Sequence, residues 1–371
     1  MKKPASKLSR RTFIQQGGSA LTALSLVSGF PSLLRASASS SIKVGVLAPA
    51  HCAVPLYFAD LSGYYKEHGI TAEIIPFTDM SKIAKGVLQG DLHFGQLIVP
   101  MTIAAHTGSG LFAKKNTPLV SPMWLGTNGG SMVVSSRSNI RLPVDLKGKR
   151  IGIHSRYLFH YLIIIELLER YGISPSQDVT LKIIELEDMI KALEAEEIDA
   201  FINPEPLSSA AVDKGVARNF LLTKDLWFRH PCCCLTSRRT LHEKEPTLFH
   251  NFVSATLKGS MQLNSPTSRG DKLKMIWDSV PQYKKLPFNV LQNAFVPGRT
   301  DFEPFPYLSS AKVVAALMQK NGLIPHTLSI EATVSEIFLA DYARSLMETM
   351  NAAYIPAAND REEWVTGHLY N

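Results

Sequence analysis

The sequence predicts an α/β protein built from two doubly wound sheets with a ligand cleft between them. Two observations carry this prediction. Short apolar, β-branched runs alternate with segments of helical periodicity, and the whole series occurs twice with similar lengths. The chain has 371 residues, of which 45% are hydrophobic, and this is enough to bury the cores of two domains.

The first copy of the series spans residues 42–99. Pro55 suits a helix start and Gly69 a helix stop, while Ser81 is a candidate cap for the next helix. The predicted elements are strand 42–47, helix 55–69, strand 71–77, helix 81–90 and strand 91–99.

The second copy spans residues 148–205. Its first helix is apolar nearly all round, which predicts a buried helix, and Ser155 is its candidate cap. The predicted elements are strand 148–154, helix 156–172, strand 179–186, helix 188–197 and strand 198–205. The chain after residue 235 is predicted to be mostly helical.

Polar and sulfur-containing residues follow the strands of both copies. His51 and Cys52 come after the first strand, and Pro100 and Met101 after the third. Because open α/β sheets bind ligands beyond the carboxyl ends of their strands, these positions are candidates for a binding site.

The first thirty-eight residues have the features of an export signal. A basic head containing Arg10-Arg11 precedes an apolar body and the small-residue exit Ala36-Ser37-Ala38, which predicts a twin-arginine signal over 1–38. No cysteine lies at the exit, so we expect a soluble periplasmic protein without a lipid anchor. The signal holds six basic and no acidic residues of a chain with net charge +7. The nearly neutral remainder gives no electrostatic footprint for nucleic acid.

Several motifs together resemble the periplasmic substrate-binding proteins of ABC importers, in the branch for nitrate, bicarbonate, sulfonates and taurine. Five motifs carry the resemblance: the first-helix pattern, the opening of the second copy, the Gly-Ile pair at the end of its first helix, the turn after its last strand and a Leu-Trp-x-x-His-Pro run. They lie at residues 55–70, 145–152, 172–173, 203–206 and 226–231.

The resemblance implies a two-lobed, type II periplasmic-binding-protein-like fold. Lobe I would comprise residues 39–130 and 235–371, and lobe II residues 131–234, with hinge segments near 131–136 and 231–236. It implies a monomer that captures a small anion or small organic solute and delivers it to a membrane permease. No catalysis, cofactor or metal is expected.

The resemblance also implies ligand contacts. His160 matches a histidine that contacts the anion, and Asn128 with Gly130 falls in a glycine-containing ligand segment. Pro100-Met101 matches a pair on the cleft loop, and Glu205 a cleft glutamate. The predicted ligand-binding residues are His51, Cys52, Pro100, Met101, Asn128, Gly130, Ser155, His160 and Glu205. Structural roles stay open: a core histidine for His160, a turn for Asn128, a loop charge for Glu205.

The run Cys232-Cys233-Cys234 has several interpretations. It fits a buried hinge strand, a pocket lining, a disulfide, or a metal site completed by Cys52 with His51 or His230. On a regular strand the three side chains alternate between faces, so they converge only if the strand is bulged.

Two alternative functions remain. The triplet is similar to the Cys-Cys-Cys-Phe-Cys run of the pyrimidine synthases of thiamine biosynthesis, which would make the protein a periplasmic enzyme or metal-binding protein. Leu97 and Met101 replace the lysine and histidine that those enzymes need, so that activity is not expected. A ligand sensor is the other alternative.

Overall fold

A computed structural model describes residues 40–113 and 117–370; the predicted export signal lies outside the described residues. The strands are β1 (Ser40–Leu47), β2 (Ile70–Phe77), β3 (Phe94–Ile98), β4 (Leu119–Asn128), β5 (Gly130–Ser135), β6 (Arg150–Ile153), β7 (Thr180–Ile183), β8 (Ala200–Pro204), β9 (Ala217–Leu222), β10 (Pro231–Arg238), β11 (Thr300–Asp301), β12 (Glu363–Val365) and β13 (His368–Tyr370).

The helices between them cover much of the rest. They are α1 (Val54–Leu61), α2 (Tyr64–Glu67), α3 (Met80–Gln89), α4 (Val99–Thr107), α5 (Phe159–Arg170), α6 (Met189–Glu194), α7 (Leu207–Asp213), α8 (Thr223–Leu226), α9 (Arg239–Lys244), α10 (Pro246–Leu263), α11 (Arg269–Ser279), α12 (Pro281–Lys284), α13 (Phe288–Ala294), α14 (Leu308–Lys320), α15 (Ile330–Ile337) and α16 (Ala340–Thr349). The predicted helical character after residue 235 is confirmed.

The strands form two sheets with related layouts. The first has the order β11-β4-β10-β3-β1-β2 and the second β7-β6-β8-β5-β9. In the first sheet β1 lies between β2 and β3 and is parallel to both, and in the second β6 lies between β7 and β8 in the same way. This confirms the predicted repetition. The remaining strands of each sheet are antiparallel to their neighbours.

Two short segments carry the chain between the sheets. The outgoing crossing lies between the end of β4 at Asn128 and the start of β5 at Gly130, and the return crossing lies between α8 and β10. Asn128, Gly129 and Arg229 have positive φ values of 58°, 74° and 58°, so the chain turns sharply at both crossings.

Three predicted helix ends were wrong. The predicted helix 55–69 is two helices, α1 and α2, because Gly63 between them has φ +77°. Asp79, not Ser81, caps α3, and its carboxylate accepts the Ser81 N–H at 2.8 Å. Helix α5 begins after Leu158, and Ser155 lies in the preceding bend.

The C-terminal hairpin, β12 and β13, is joined to the return crossing. The buried carboxylate of Glu363 accepts the indole N–H of Trp227 at 2.7 Å and a guanidinium N–H of Arg361 at 2.9 Å. The backbone N–H of Thr366 donates to the carbonyl of Leu226 at 2.6 Å. A segment more than a hundred residues distant in sequence therefore fixes α8.

None of the helices formed by residues 40–113 and 117–370 has both the length and the apolar character that crossing a membrane requires.

Candidate functional site

A small cavity lies between the two sheets, beyond the carboxyl ends of their parallel strands. Residues from the first sheet and its connections form one wall, and residues from the second sheet form the other. The lining residues are Leu47, Ala50, His51, Cys52, Met80, Gln96, Ile98, Cys232 and Cys233 on the first wall and Leu158, His160, Leu186 and Pro204 on the second. About 10 Å³ is open to the centre of a water molecule, which is room for about one water.

The cysteine triplet lies on a bulged strand. Strand β10 is buried between β3 and β4, and its register against β4 shifts at Cys232 and again between Cys233 and Cys234. Because Cys232 is an extra residue in the pairing, Cys232 and Cys233 both line the cavity, with their sulfurs 3.9 Å apart.

Cys234 belongs to a different environment. Its sulfur lies 3.2 Å from the Thr102 hydroxyl of α4 and 3.4 Å from the Leu97 carbonyl. Burial raises the pKa of this thiol to about 11, so Cys234 is a protonated thiol that packs in the core.

His51 and Cys52 begin the short 3-10 turn after β1. The His51 Nε2 atom lies 3.0 Å from the Cys52 sulfur, and Gly126 on β4 leaves room for this pair, since a Cβ there would be 3.0 Å from Cys52 Sγ. The His51 backbone N–H donates to the Glu205 carbonyl at 3.0 Å. This bond joins the two walls at the edge of the cavity.

The pKa values of the thiols in the first wall are shifted in opposite directions. Burial raises the pKa of Cys52, and contact with Cys233 raises that of Cys232. Burial alone would raise the pKa of Cys233 too, but hydrogen bonds from Cys232 and Cys52 and the nearby His51 hold it well below the usual range. The Gln96 amide also donates to the Cys233 sulfur at 3.3 Å.

His160, in the first turn of α5, is the polar residue of the second wall. It is buried, and neither ring nitrogen has a hydrogen-bond partner within the described part of the chain. Burial, with His51 and His154 nearby, lowers its pKa to about 3. The ring is therefore neutral and offers one N–H donor and one nitrogen acceptor.

The glycines of the outgoing crossing make room for both histidines. A Cβ at Gly130 would lie 2.7 Å from His160 Nε2 and 2.9 Å from two atoms of Thr223. A Cβ at Gly129 would lie 2.4 Å from His51 Nε2. These predicted ligand-segment residues thus allow the two imidazoles to approach the backbone.

Asn128 and Glu205 are buried, and their side chains are used within the protein. The Asn128 amide accepts the Arg229 N–H at 2.8 Å and donates to Asp301 at 3.1 Å. One oxygen of Glu205 accepts the Ser131 hydroxyl and the Arg299 guanidinium, and the other the Ser209 N–H. We call these side chains and their partners the junction.

The other predicted site residues lie outside the cavity lining. Pro100 and Met101 are buried in the first turn of α4. The Ser155 hydroxyl accepts the Tyr157 N–H at 3.2 Å in the bend before α5.

Gln96 and Met80 line the cavity but were missed by the sequence analysis. Gln96 accepts the Leu47 N–H at 2.9 Å while it donates to Cys233, and so it connects β1 to β10. A polar residue inside the apolar run FGQLI was the available sign of this role, because buried strands rarely carry a glutamine without a partner.

The described residues also form two larger grooves. One, of about 250 Å³, shares Leu47, Leu186 and Pro204 with the cavity and opens beside it. The other, of about 360 Å³, includes an Arg229–Glu303 ion pair of 2.6 Å. Among the described residues, the buried side-chain atoms without a hydrogen-bond partner include none from this second groove.

A protein-family model matches this chain. The model of the NMT1-like family matches residues 35–276, more than half of the chain. The chain belongs to this family. The predicted resemblance to substrate-binding proteins is confirmed by the relatives and structural neighbours described next.

Two relatives are named for nitrate. The chain is 26% identical over 256 residues to the nitrate import ATP-binding protein NrtC of Synechocystis. It is 23% identical over 262 residues to the nitrate/nitrite binding protein NrtA of Nostoc. The matches cover 66% and 65% of this chain but 38% and 58% of the relatives. The chain therefore spans only part of their lengths.

Solved structures share the fold. The periplasmic nitrate-binding protein NrtA from Synechocystis has a TM-score of 0.79 at 17% identity, covering 88% of this chain and 94% of that one. The alkanesulfonate-binding protein SsuA from Xanthomonas axonopodis, bound to MOPS, has a TM-score of 0.64 at 18% identity, covering 79% and 97%. These neighbours confirm the predicted periplasmic-binding-protein fold.

One neighbour is an enzyme. The desulfurization enzyme DSZB has a TM-score of 0.60 at 14% identity, covering 84% of this chain and 99% of that one. The fold thus serves both binding proteins and an enzyme, and function has to be argued from the site.

Proposed function

We propose that the protein is the solute-binding component of an ABC importer and captures a small anion or small organic solute of the nitrate, bicarbonate or sulfonate kind. Membership in the NMT1-like family supports this, as do relatives named for nitrate import and for bicarbonate transport. Among proteins of the same fold, one is a nitrate-binding protein and another holds a sulfonate buffer.

One observation carries the proposal. His160 lies in an enclosed cavity between two sheets with both ring nitrogens unpaired among the described residues. A buried imidazole without partners loses the hydrogen bonds it would make in water, which costs about 1–3 kcal/mol per unsatisfied group. A solute with an oxygen acceptor would accept the N–H and remove part of this penalty.

Solute access requires the walls to separate. The cavity has room for about one water, and the 250 Å³ groove that shares Leu47, Leu186 and Pro204 is the route from outside. We propose that the protein opens by hinge motion at the two crossings, near the predicted segments 131–136 and 231–236. The lobe boundaries of the sequence analysis remain part of this proposal.

Location and partners follow from the same proposal. The protein would be exported by its twin-arginine segment, act as a monomer in the periplasm and deliver the solute to a membrane permease. Binding would leave the solute unchanged, so incubation followed by mass spectrometry should return the added compound.

Replacing His160 tests the proposed solute site. A thermal-shift screen of nitrate, bicarbonate, sulfonates and a thiamine-pyrimidine precursor first identifies a ligand. We expect His160→Ala to weaken its binding at least roughly tenfold in calorimetry, because the imidazole contact is lost.

His326→Ala is the matched control, since His326 is exposed, and its affinity should equal that of the wild type. His160→Leu fills the space of the ring and separates loss of contact from loss of packing. Unchanged affinity in both His160 variants would remove His160 from the site, and a screen without any stabilising compound would contradict solute binding.

A further inference from the structure

The first wall of the cavity has the composition of a metal site. His51, Cys52 and Cys232 are buried, and their potential ligand atoms all lie within 4.8 Å of one another. Cys233 is a candidate fourth ligand: its sulfur is 3.9 Å from that of Cys232, but it lies outside the group whose ligand atoms are all within 4.8 Å of one another. All four cysteines of the chain are free thiols in the described structure.

We propose that His51, Cys52, Cys232 and Cys233 bind one thiophilic d¹⁰ cation, Zn²⁺ or Cu⁺, at the first wall of the cavity. This goes beyond the capture of an anion or organic solute. It concerns the chemistry of one wall and does not require the protein to be part of a transporter.

The distances fit such an ion. With Zn–S near 2.3 Å and Zn–N near 2.0–2.1 Å, tetrahedral ligand atoms are separated by about 3.3–3.8 Å. The separation of His51 Nε2 from Cys52 Sγ is 3.0 Å and that of the two β10 sulfurs is 3.9 Å. The ligand atoms of His51, Cys52 and Cys232 lie within 4.8 Å of one another, and Cys233 would move toward them when the ion binds.

The bulge in β10 makes the arrangement feasible. On a regular strand, consecutive side chains point to opposite faces, so Cys232 and Cys233 could not both reach one ion. The extra residue at Cys232 turns both sulfurs into the cavity. The ligands therefore come from two adjacent pairs, one on the turn after β1 and one on the bulge.

The cavity also selects by size and softness. Its lining, as far as the structure describes it, contains no lysine, arginine, aspartate or glutamate. Sulfur and imidazole donors favour Zn²⁺ or Cu⁺ over hard cations such as Mg²⁺ and Ca²⁺, which take oxygen ligands. The space of about 10 Å³ admits a single ion as it stands, whereas a polyatomic solute requires the walls to separate as proposed above.

An unpaired polar atom of the first wall also indicates an occupant. His51 Nδ1 is buried without a partner among the described residues, and the His51 side chain lines the cavity. Buried polar atoms are normally satisfied, so an unsatisfied one beside a cavity indicates an unseen partner there.

Binding is a proton exchange with no change in oxidation state. Each thiol that binds the cation loses its proton to solvent as the metal–sulfur bond forms. The Gln96 N–H that donates to Cys233 would remain as a hydrogen bond to the bound sulfur.

Metal titration of the purified full chain tests the site. The protein is reduced, stripped with a chelator under anaerobic conditions and titrated with Zn²⁺ or, in a second arm, with Cu⁺ against a competing chelator. We expect one equivalent to bind in at least one arm. Co²⁺ loading should give sulfur-to-metal charge-transfer bands that report thiolate ligation directly.

The variants compare the proposed ligand cysteines with a buried cysteine that is not a proposed ligand. Cys52→Ser and Cys232→Ser should each weaken binding at least about hundredfold, because each removes a ligand. Cys234→Ser is the matched control: Cys234 is equally buried on β10 but contacts Thr102 and Leu97, and its affinity should be that of the wild type. Cys52→Ala and Cys232→Ala repeat the test without a buried hydroxyl.

Three results would overturn the metal site: no stoichiometric binding in either arm, equal losses in the Cys234 and Cys232 variants, or a Cys52 disulfide in the chain as purified, before reduction. The solute screen is read separately, with and without metal. Failure of metal binding leaves the solute result standing, and failure of solute binding leaves the metal result standing.

Discussion

Glu205 in the junction and His160 in the cavity differ in their hydrogen bonding. Glu205 and His160 both follow strands of the second sheet and are almost completely buried. The carboxylate of Glu205 accepts hydrogen bonds on both oxygens, whereas His160 has no partner among the described residues. The carboxylate of Glu205 is thus fully used within the protein, whereas the imidazole of His160 is available to form hydrogen bonds.

This difference separates side chains that are bonded within the protein from side chains that are available to a ligand, at positions that looked alike in the sequence. A junction side chain that is removed leaves a buried partner unsatisfied, so the fold loses stability. Removing the His160 side chain leaves no partner within the described residues unsatisfied. It would remove only a contact to a bound ligand. Stability and affinity should therefore respond to different substitutions.

The largest expected effect is at the centre of the junction. Glu205→Ala leaves the Arg299 guanidinium without its carboxylate partner, and breaking a buried ion pair in this way costs about 3–5 kcal/mol. We expect chemical denaturation to show a loss of this size in the free energy of unfolding.

An exposed ion pair provides the control for Glu205. Lys258 and Glu67 are 2.6 Å apart and partly exposed, so Glu67→Ala should cost less than about 1 kcal/mol. Combining Glu205→Ala with Arg299→Ala should cost less than the sum of the two single changes. Additive losses would mean that the pair does not stabilise the junction.

A smaller effect is expected at Asn128. Asn128→Ala removes hydrogen bonds to Arg229 and Asp301 and places a Cβ-bearing residue without a polar side chain at φ 58°. We expect a loss of about 1–3 kcal/mol in unfolding free energy, with solute affinity changed less than by His160→Ala.

Asn128→Gly separates the two contributions, because glycine tolerates the left-handed conformation while losing the same hydrogen bonds. It should be less destabilising than alanine. If solute affinity instead fell as far in Asn128→Gly as in His160→Ala, Asn128 would belong to the solute site and the division between junction and cavity would fail.

At Gly130 we expect a clear change in binding and a loss of stability no larger than that at Asn128. A Cβ at this position would lie 2.7 Å from His160 Nε2, so Gly130→Ala should displace the imidazole. We expect solute affinity to fall by about tenfold, or about 1.4 kcal/mol, in calorimetry, with a modest loss of unfolding free energy of about 1–3 kcal/mol from crowding at most.

Gly270→Ala is the matched control for Gly130. Gly270 lies in α11 with open space around the position of a Cβ and without a positive φ. Its substitution should leave affinity unchanged. Equal affinities for the Gly130 and Gly270 variants would show that the imidazole position does not govern binding.

Most of the architecture could be predicted because it depends on local patterns. Apolar β-branched runs and helical periodicity are read over a few residues, and they predicted the two copies and the buried helix α5. Helix ends were less predictable: Asp79 and Ser81 are both good caps, and local sequence does not determine which one is used.

The site was only partly predictable for a physical reason. His51, Cys52 and His160 line the cavity as candidates should, and their binding roles stay predictions. Whether Glu205 is available to a ligand depends on Arg299, which lies 94 residues away in sequence. The bulge at Cys232 likewise depends on pairing with β4, and a single strand's sequence does not specify it.

The C-terminal hairpin has a consequence for how the molecule moves. Glu363 holds Trp227 across 136 residues of sequence, directly beside the return crossing. If one sheet rotates against the other, either the C-terminal hairpin moves with Trp227 or the hydrogen bond between Trp227 and Glu363 breaks. If the sheets rotate at the crossings as proposed, the final segment of the chain would resist that rotation through this hydrogen bond. Under that proposal, shortening the tail would make the rotation easier without removing any residue that lines the cavity.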